Sequence, residues 1–490
     1  MSTQHEFARL AALRPARAIP SRPATLRPPE EADVVGNLLG GGVASNRFGE
    51  HLVIRNWFST PEFAEPSPVA IDLLCRSRDR SVSVRTRNTS ASFRTPAALS
   101  DPQKWLFLDT ETTGLAGGTG TYAFLIGLAW WDAGGLQVEQ FFMRDFTEEH
   151  SLLHELSSRL AERPVLITFN GKSFDWPLLE NRFTMTRCIA APKLAAHLDL
   201  LHPARALWKL RLGSVRLTEL ERHVLDSHRL GWHREDDISS ALIPQYYFDY
   251  LRGASAAPLA AVVRHNQLDL RGLAALYCKI NGLLANENGY SNAGGSCEAR
   301  PNHFVSSARS PTPVCANPHD CHEIDSNEDD RNEDNLKEIA ALDLLGLSRF
   351  LQRRGDSNRA QSACAQAIAT GLPGEFQPKA RRDLALLAKR KGDHASAAEI
   401  WQELLADPQI VADPREGIHA CEQLAIYFER RVKDFLTAVE FAQLGLAKLW
   451  RQRTASRDPY EAKRLTRQEK NFQQRIARLQ RRLKSNEGST

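Results

Sequence analysis

In the middle of the chain, short apolar runs alternate with segments whose apolar residues have helical spacing. KWLFLD, AFLIGLAWWD and, after Gly134-Gly135, LQVEQFFMRD predict strands, with the last two joined as a hairpin. HSLLHELSSRLAERP has helical spacing and ends at a proline, VLITFNG predicts another buried strand, and FDWPLLENRF starts a helix. Strands that alternate with helices after an opening hairpin predict an α/β domain over residues 101–285.

The segments on either side of this domain have weaker patterns. Residues 1–45 contain much Pro, Arg and Ala and predict a disordered lead-in. Residues 46–100 predict an N-terminal extension of short strands, of which HLVIRNWF is the clearest. Residues 286–335 lose all periodicity and end in an acidic run, so they predict a disordered linker.

The predicted linker also contains several potential metal ligands. A zinc site is conceivable there, but no CxxC pair is present and the spacings fit no zinc finger, so a linker that happens to contain these residues is favoured. The residues concerned are Cys297, His303, Cys315, His319, Cys321 and His322.

From residue 336 onward the whole pattern is helical. Three segments each have an aspartate followed four residues later by an alanine, at spacings near 37 and 41 residues: Asp356/Ala360, Asp393/Ala397 and Asp434/Ala438. Small residues at fixed places in helix pairs of this period resemble degenerate tetratricopeptide repeats over residues 336–450, with an ordinary helical bundle as the alternative. Residues 451–490 predict a basic helix with an apolar stripe. The favoured interpretation is a solvated cap on the repeats, and the alternative is that its Arg-rich face contacts phosphate.

Composition limits the class of protein and its cellular compartment but does not identify an activity. The formal net charge is only +4, so any nucleic-acid surface must come from local patches. The N-terminus lacks an apolar signal core, and the longest apolar stretch is about half a membrane span. Eight scattered cysteines do not form a disulfide framework. A cytoplasmic protein without membrane contact is expected.

Two carboxylates lie at the end of the first strand of the α/β domain. Asp109 and Glu111 are two residues apart, so on a strand their side chains point to one face. Like charges so close repel each other unless a cation lies between them, and carboxylate oxygens suit Mg²⁺ or Mn²⁺. Taken alone, the pair fits a solvated turn in which Asp109 is a local cap as well as it fits a metal site.

Two further segments contain polar residues at the ends of predicted elements. Asn170 ends a predicted strand, and Asp175 starts a helix, where it can act as an N-cap and also offer an oxygen to a metal. His265 and Asp269 are four residues apart on a helix with apolar flanks, so they share one face. An exposed ion pair is the plain alternative for these two, although an unpaired aspartate on a buried helix would be costly.

Together these residues resemble a known family. DTETTG, NGKSFDWPLLENR and HNQLD resemble the motifs of the DEDD 3′–5′ exonucleases of the ribonuclease H fold, and the wider run DTETTGLAGGTGTYAFLIGLAWW resembles the YprB-like branch of that superfamily. The resemblance covers about residues 100–283, and members of this branch often carry C-terminal tetratricopeptide repeats. It implies a mixed five-stranded sheet with helices on both faces, beside an all-α C-terminal domain.

The resemblance also implies a set of site residues. Two divalent cations, Mg²⁺ or Mn²⁺, would be held by four acids: Asp109, Glu111, Asp175 and Asp269. His265 would be the general base, although relatives have either a His five residues or a Tyr four residues before the last aspartate, whereas here a His has the Tyr spacing. Residues expected to face the substrate are Thr112, Thr113, Leu115, Asn170 and Asp199.

The expected activity is metal-dependent 3′–5′ exonucleolytic hydrolysis of single-stranded DNA or RNA ends. The helical repeats would bind a protein partner that the sequence does not identify. The alternative is an adaptor whose nuclease-like domain has little or no activity and whose repeats recruit other proteins.

Overall fold

A computed structural model of the protein describes ten segments of the chain. They are residues 29–59, 67–75, 99–114, 120–132, 134–228, 234, 236–285, 326–406, 414–455 and 459–487. The six Cys and His residues of the predicted linker and most of that linker lie outside these segments, as does most of the predicted lead-in.

The α/β domain is built on one mixed sheet. Its strands are β1 (Gly41–Asn46), β2 (Gly49–Ser59), β3 (Trp105–Thr112), β4 (Ala123–Asp132), β5 (Gly135–Phe142), β6 (Val165–Thr168) and β7 (Ala196–Asp199). Their order across the sheet is β1-β2-β5-β4-β3-β6-β7. The pairs from β1 to β3 are antiparallel, whereas β3–β6 and β6–β7 are parallel.

Helices cover both faces of this sheet. They are α1 (Pro29–Leu39), α2 (Pro68–Cys75), α3 (Glu149–Glu162), α4 (Asp175–Thr186), α5 (Leu201–Leu212), α6 (Leu217–His223), α7 (Ile243–Leu251) and α8 (Ala257–Ala285). Side chains of β3 alternate between two hydrophobic clusters, with Trp105 and Phe107 in one and Leu106 and Leu108 in the other. This alternation places each following residue of β3 on a defined face.

The mixed sheet with helices on both faces confirms the predicted fold class, but the sheet has seven strands where five were expected. The two additional strands come from before the domain: β2 pairs along its length with β5, and β1 pairs with β2. Leu52, Val53 and Ile54 of β2 are buried, so the sheet gains core as well as hydrogen bonds from this extension. Helix α1 and strand β1 also correct the prediction of disorder for residues 29–45.

The remaining described residues form an all-helical region, as predicted. Its helices are α9 (Ser326–Arg353), α10 (Ser357–Gly371), α11 (Gln377–Lys391), α12 (His394–Ala406), α13 (Pro414–Tyr427), α14 (Phe435–Ala455) and α15 (Pro459–Glu487), with a π-turn at Phe428–Val432. Each helix packs against the next one in the chain. Helix α9 begins inside the predicted linker, which is a correction for residues 326–335.

The helical region and the α/β domain share hydrophobic core. Leu345 of α9 and Trp208 of α5 belong to the same buried cluster. Gly346 of α9 lies so close to α5 that a Cβ there would overlap the carbonyl of Leu207. Arg211 Nε also donates to Asp343 Oδ1 at 2.8 Å across this contact. The two parts of the chain are therefore joined by packed helices as well as by the polypeptide.

The three matched aspartates have one structural role. The side chains of Asp356, Asp393 and Asp434 each accept a hydrogen bond from the backbone N–H three residues later, at 3.1 Å in every case. The alanines that follow, Ala360, Ala397 and Ala438, are fully buried. Each motif thus starts the second helix of a pair with an N-cap and lets that helix approach its neighbour closely.

The last helix closes one end of this stack. Leu465, Phe472 and Leu479 of α15 are buried, and Ile476 and Leu483 are partly buried against the same helices. These residues form the apolar stripe that the sequence predicts. None of the helices in the described parts of the chain combines the length and apolarity needed to cross a membrane.

Candidate active site

Two acidic side chains of β3 lie on the sheet face covered by α8. Asp109 and Glu111 continue the face that Trp105 and Phe107 occupy. Opposite Asp109 on β4 is Gly127, where a Cβ would overlap the side-chain oxygen of Asn266. Because this glycine lets α8 approach the sheet, Asn266 Nδ2 donates to Asp109 Oδ2 at 2.8 Å.

Helix α8 also supplies a histidine and an aspartate to this face. His265 Nε2 is 3.6 Å from Asp269 Oδ2, as expected for residues one turn apart. Glu111, His265 and Asp269 each place one potential ligand atom within 4.8 Å of the other two. The structure therefore brings together residues that are more than 150 positions apart in the chain.

A second carboxylate holds His265 from the other side of the ring. Nδ1 of His265 is 2.8 Å from Asp237 Oδ1, in the segment just before α7. The hydrogen bond from His265 and the charge of Arg234 outweigh burial and lower the pKa of Asp237. The carboxylate of Asp237 is therefore the acceptor, and Nδ1 of His265 carries the proton. Nε2 then points towards Asp269, with Ser240 Oγ 3.4 Å away.

Arg234 joins three acids next to this pair. Its guanidinium donates to Asp269 Oδ1 at 2.5 Å, to Asp237 Oδ2 at 2.8 Å and to Glu221 Oε1 at 2.7 Å. Burial lowers the pKa of Arg234, but Asp269 and Glu221 outweigh burial and raise it. Arg234 thus stays charged and holds Asp237 and Asp269 in place.

Asp175 is the first residue of α4 and faces β3. Its Oδ1 accepts a hydrogen bond from Thr110 Oγ1 at 2.5 Å. Its carboxylate also raises the pKa of Asp109 and of Glu111, so Asp175 lies close enough to act electrostatically on both. The four acids predicted as one set do converge on the end of β3.

Asp199 at the end of β7 holds the loop before α4. Its carboxylate accepts backbone N–H bonds from Asn170 at 2.8 Å, from Lys172 at 3.1 Å and from Leu201 at 3.0 Å. Asn170 has φ = 67°, a left-handed conformation that asparagine tolerates better than most residues. Both Asp199 oxygens are therefore engaged by the backbone, and direct substrate contact by Asp199 or Asn170 stays a prediction.

A cavity of about 360 Å³ opens beside Asp175. Thr112 lines it, together with Thr110, Phe174 and Asn181. Thr112 Oγ1 donates to the Gly114 carbonyl at 3.1 Å. Thr113 instead pairs with β4, its Oγ1 accepting from the Tyr122 N–H at 2.9 Å. Leu115, the third residue predicted for this segment, lies outside the described residues.

Burial and the crowding of like charges together set the proton affinity of the acids in this cluster. Burial first, and then Asp269, Glu111 and Asp175, raise the pKa of Asp109 well above its ordinary value. Burial raises the pKa of Glu111 to about 8 although His265 opposes the shift. The pKa of His265 is raised because Asp237 and the acids outweigh its burial. Such shifts mark a site whose charge is incomplete without a ligand.

The donor set fits a hard divalent cation. Carboxylate oxygens of Asp109, Glu111, Asp175 and Asp269 are the atoms that Mg²⁺ and Mn²⁺ prefer. Only Arg234 and His265 bring positive charge to the cluster in the described part of the chain, and both contact Asp269. Asp109 has a single amide donor from Asn266 to offset its charge, which leaves room for a metal.

The sequence argument missed Arg234, Asp237 and Asn266. Gly127, inside an otherwise apolar strand, was a signal for close approach of another element, and so for Asn266. Arg234 and Asp237 precede α7 in an irregular segment, where no periodicity indicates which way a side chain points. Only the packing of that segment against α8 brings them to His265.

Comparisons with known proteins agree with this architecture. Residues 106–281 match the family model of the RNase H superfamily, and this stretch is an RNase H superfamily domain, as the motifs predicted. The chain is also 27% identical over 343 residues to a protein of Bacillus subtilis (strain 168) named "Uncharacterized protein YprB", covering 70% of this chain and 68% of that relative. Because 343 residues exceed the length of the matched domain, the similarity to YprB extends beyond it.

Proposed function

We propose that the RNase H superfamily domain of this chain is a metal-dependent 3′–5′ exonuclease that acts on single-stranded nucleic-acid ends. The observation that carries the proposal is the convergence of Asp109, Glu111, Asp175 and Asp269, whose burial and mutual repulsion raise the pKa of Asp109. Four acids crowded in one cleft are costly unless cations bind between them. A nuclease domain that binds such cations can present them to phosphate.

The metal ions would be held by these four acids. When bound, two divalent ions stabilise the charge on a scissile phosphate and activate the attacking water. Asn266 would keep Asp109 oriented, since it donates to Oδ2 at 2.8 Å and leaves Oδ1 for a ligand. Thr110 would do the same for Asp175 through its 2.5 Å hydrogen bond. Arg234 would orient Asp269 from the side away from His265.

His265 would be the general base, with Asp237 as its positioning residue. Asp237 accepts from Nδ1, so Nε2 is the basic atom and faces Asp269 and Glu111. Asp237 and the nearby acids raise the pKa of His265, so an oriented and more basic Nε2 is suited to take the proton of an attacking water. The unusual spacing in the sequence is compatible with this role because i and i+4 share one helix face.

The substrate end would enter the cavity beside Asp175. Its volume of about 360 Å³ and its lining by Thr110, Thr112 and Phe174 suit one nucleotide, with an aromatic side chain available to the base. Phe174 is 60% exposed, so its ring is accessible to a ligand in this cavity. The helical region would serve to bind other molecules, including a protein partner.

The direct test is hydrolysis of a 5′-labelled single-stranded oligonucleotide by the full chain. We expect Mn²⁺ or Mg²⁺ to support stepwise shortening from the 3′ end with release of 5′-mononucleotides, and Ca²⁺ not to support it, because Ca²⁺ takes looser coordination. Asp109→Ala is the control. Hydrolysis that persists in excess chelator would remove the metal-dependent proposal, and no hydrolysis with any of these ions would favour the adaptor alternative.

A further inference from the structure

A second cavity, of about 390 Å³, lies within the helical region. Its walls come from α11, α13, α14 and α15, and it shares no lining residue with the candidate active site. Four cationic side chains and a single carboxylate line it. The cations are Lys379, Arg382, Arg415 and Arg464, and the carboxylate is Glu416.

Two acids pair with Arg382, one of these four cations. Buried Glu416 accepts from Arg382 Nη1 at 2.6 Å, and Asp383 Oδ1 accepts from Arg382 Nη2 at 2.8 Å. Lys379, Arg415 and Arg464 are exposed at the rim. Lys379 has no ion-pair partner among the residues that the structure describes. The charged lining residues that are exposed at the rim are therefore all cations.

A histidine in the wall has a buried nitrogen without a hydrogen-bond partner in the described segments. This atom is Nδ1 of His419. The pKa of His419 is lowered by burial and then by the cations Arg382 and Lys389, so its ring stays neutral near pH 7. A buried polar atom without a partner costs free energy, which a ligand that reaches it would recover.

We propose that this cavity binds backbone phosphates of a single-stranded nucleic acid, as a contact surface separate from the candidate active site. Two of its three exposed cations, Arg415 and Arg464, are arginines, whose fork-shaped donors match phosphate oxygens. Phosphate recognition needs no base contact, and His419 is the only aromatic ring in the wall. Binding is thus expected to be independent of base sequence and strongly dependent on salt.

The surface beside the cavity favours a long polyanion over a small anion. On α15, the exposed residues Lys463, Arg467 and Lys470 form a row on the face next to Arg464. A nucleic-acid strand carries a charge at every nucleotide and can follow such a row. An acidic peptide is the competing occupant, but peptide binding relies on apolar anchors in pockets, and Ile418 is the only aliphatic residue in this wall.

The test measures binding without turnover, and the proposal does not rest on the proposed function. The full chain carrying Asp109→Asn is titrated into a labelled 20-nucleotide strand, in chelator, from 50 to 300 mM salt. Lys379→Ala with Arg464→Ala removes two rim cations. Arg481→Ala with Lys484→Ala removes two exposed cations that begin 17 residues further along α15, about 25 Å from Arg464.

Removing two phosphate contacts should lower the magnitude of the slope of log affinity against log salt by about 1.4 and weaken binding about 10- to 30-fold near 0.1 M salt. The Arg481/Lys484 pair should stay within about threefold of the parent, and Lys379→Arg with Arg464→Lys should retain binding. Equal losses in both alanine pairs, or loss in the charge-preserving pair, would overturn the proposal. So would an acidic peptide of equal charge that displaces the strand at lower concentration. Failure of the hydrolysis assay leaves this measurement intact.

Discussion

Two carboxylates in different regions of the molecule have surroundings of opposite charge. Asp109 in the α/β domain faces Glu111, Asp175 and Asp269, and a neutral amide is its hydrogen-bond donor. Glu429 in the helical region is 4% exposed and accepts from Arg475 at 2.5 Å and from Arg478 at 2.7 Å. Carboxylates alone therefore do not mark a function; what matters is whether the fold supplies the opposite charge.

The difference separates charges that stabilise the fold from charges kept for a ligand. Arg475 and Arg478 belong to α15, so Glu429 ties the last helix to the π-turn before α14. At Asp109 several acids share one neutral hydrogen-bond donor, and at the cavity that includes Lys379 the charged lining residues at the rim are cations. Each cluster of like charge predicts a ligand of the opposite sign, a divalent cation in the first and phosphate in the second.

The largest expected effect is on turnover. Asp109→Asn should reduce exonuclease activity by at least about 10³-fold, because an amide replaces a carboxylate that the proposal uses as a metal ligand. Rates with Mn²⁺ on a labelled strand check this. Glu429→Gln is the matched control, since it makes the same chemical change elsewhere and should keep the rate within about twofold. Near-wild-type turnover by Asp109→Asn would show that Asp109 is not a ligand.

His265→Ala should lower the rate by about 10²- to 10⁴-fold with little change in metal affinity. Asp237→Asn should cost about 10- to 100-fold, because His265 keeps its chemistry but loses the carboxylate that orients it. Since Asp237 raises the pKa of His265, the acid limb of the pH–rate profile should move to lower pH in Asp237→Asn and disappear in His265→Ala.

A purely structural role of His265 would not change the pH–rate profile in this way. In metal-free protein, ¹⁵N spectra should show the proton on Nδ1 of His265, and a mixture of tautomers in Asp237→Asn. Substantial activity in His265→Tyr, with the pH profile unchanged in His265→Ala, would mean that the position orients water and is not the base.

The same carboxylate-to-amide change should have opposite effects on stability in the two regions. Glu429→Gln should lower the free energy of unfolding by about 2 kcal/mol, less than for a fully buried pair because Arg478 is 43% exposed. Metal-free Asp109→Asn should be more stable than wild type, because it removes repulsion. Urea unfolding in chelator measures both.

Glu403→Gln is the control for this comparison, because Glu403 forms an exposed pair with Arg381. It should change the free energy of unfolding by less than about 0.5 kcal/mol. A loss equal to that of Glu429→Gln would contradict the comparison.

A further expected effect is a change in how the stability of the metal-free protein depends on pH. The folded-state pKa of Glu111 is about 8, above its ordinary value of 4.5, so the folded protein binds the extra proton between these values. Stability of the metal-free protein should therefore fall as pH rises from 4.5 to 8. Glu111→Gln should flatten this slope, and saturating Mg²⁺ should reduce it in wild type. Identical slopes for wild type and Glu111→Gln in chelator would contradict the shift.

Much of the fold follows from local pattern. Short apolar runs located β3 to β6, because strands buried on both faces are apolar at successive positions. Helical spacing located the helices after them, because a helix buried on one side repeats its apolar residues every three to four positions. The Asp and Ala motifs at 356, 393 and 434 located helix starts in the helical region, because each aspartate is an N-cap that accepts from the backbone of the first turn. Strand β1 was missed because its pattern is weak. Strand β2 was predicted as a strand but not as part of the sheet, because its partner, strand β5, lies about 80 residues away.

By itself, the sequence determined that Asp109 and Glu111 share a face and that His265 and Asp269 share another, because strand and helix periods are local geometry. Only the tertiary structure decided that these faces meet, through the missing side chain at Gly127. It alone brought Asp237 to His265 and gathered the cations around Glu416. The reason is physical: charge interactions depend on distance in space, and irregular segments and helix stacks bring together residues that no sequence period relates.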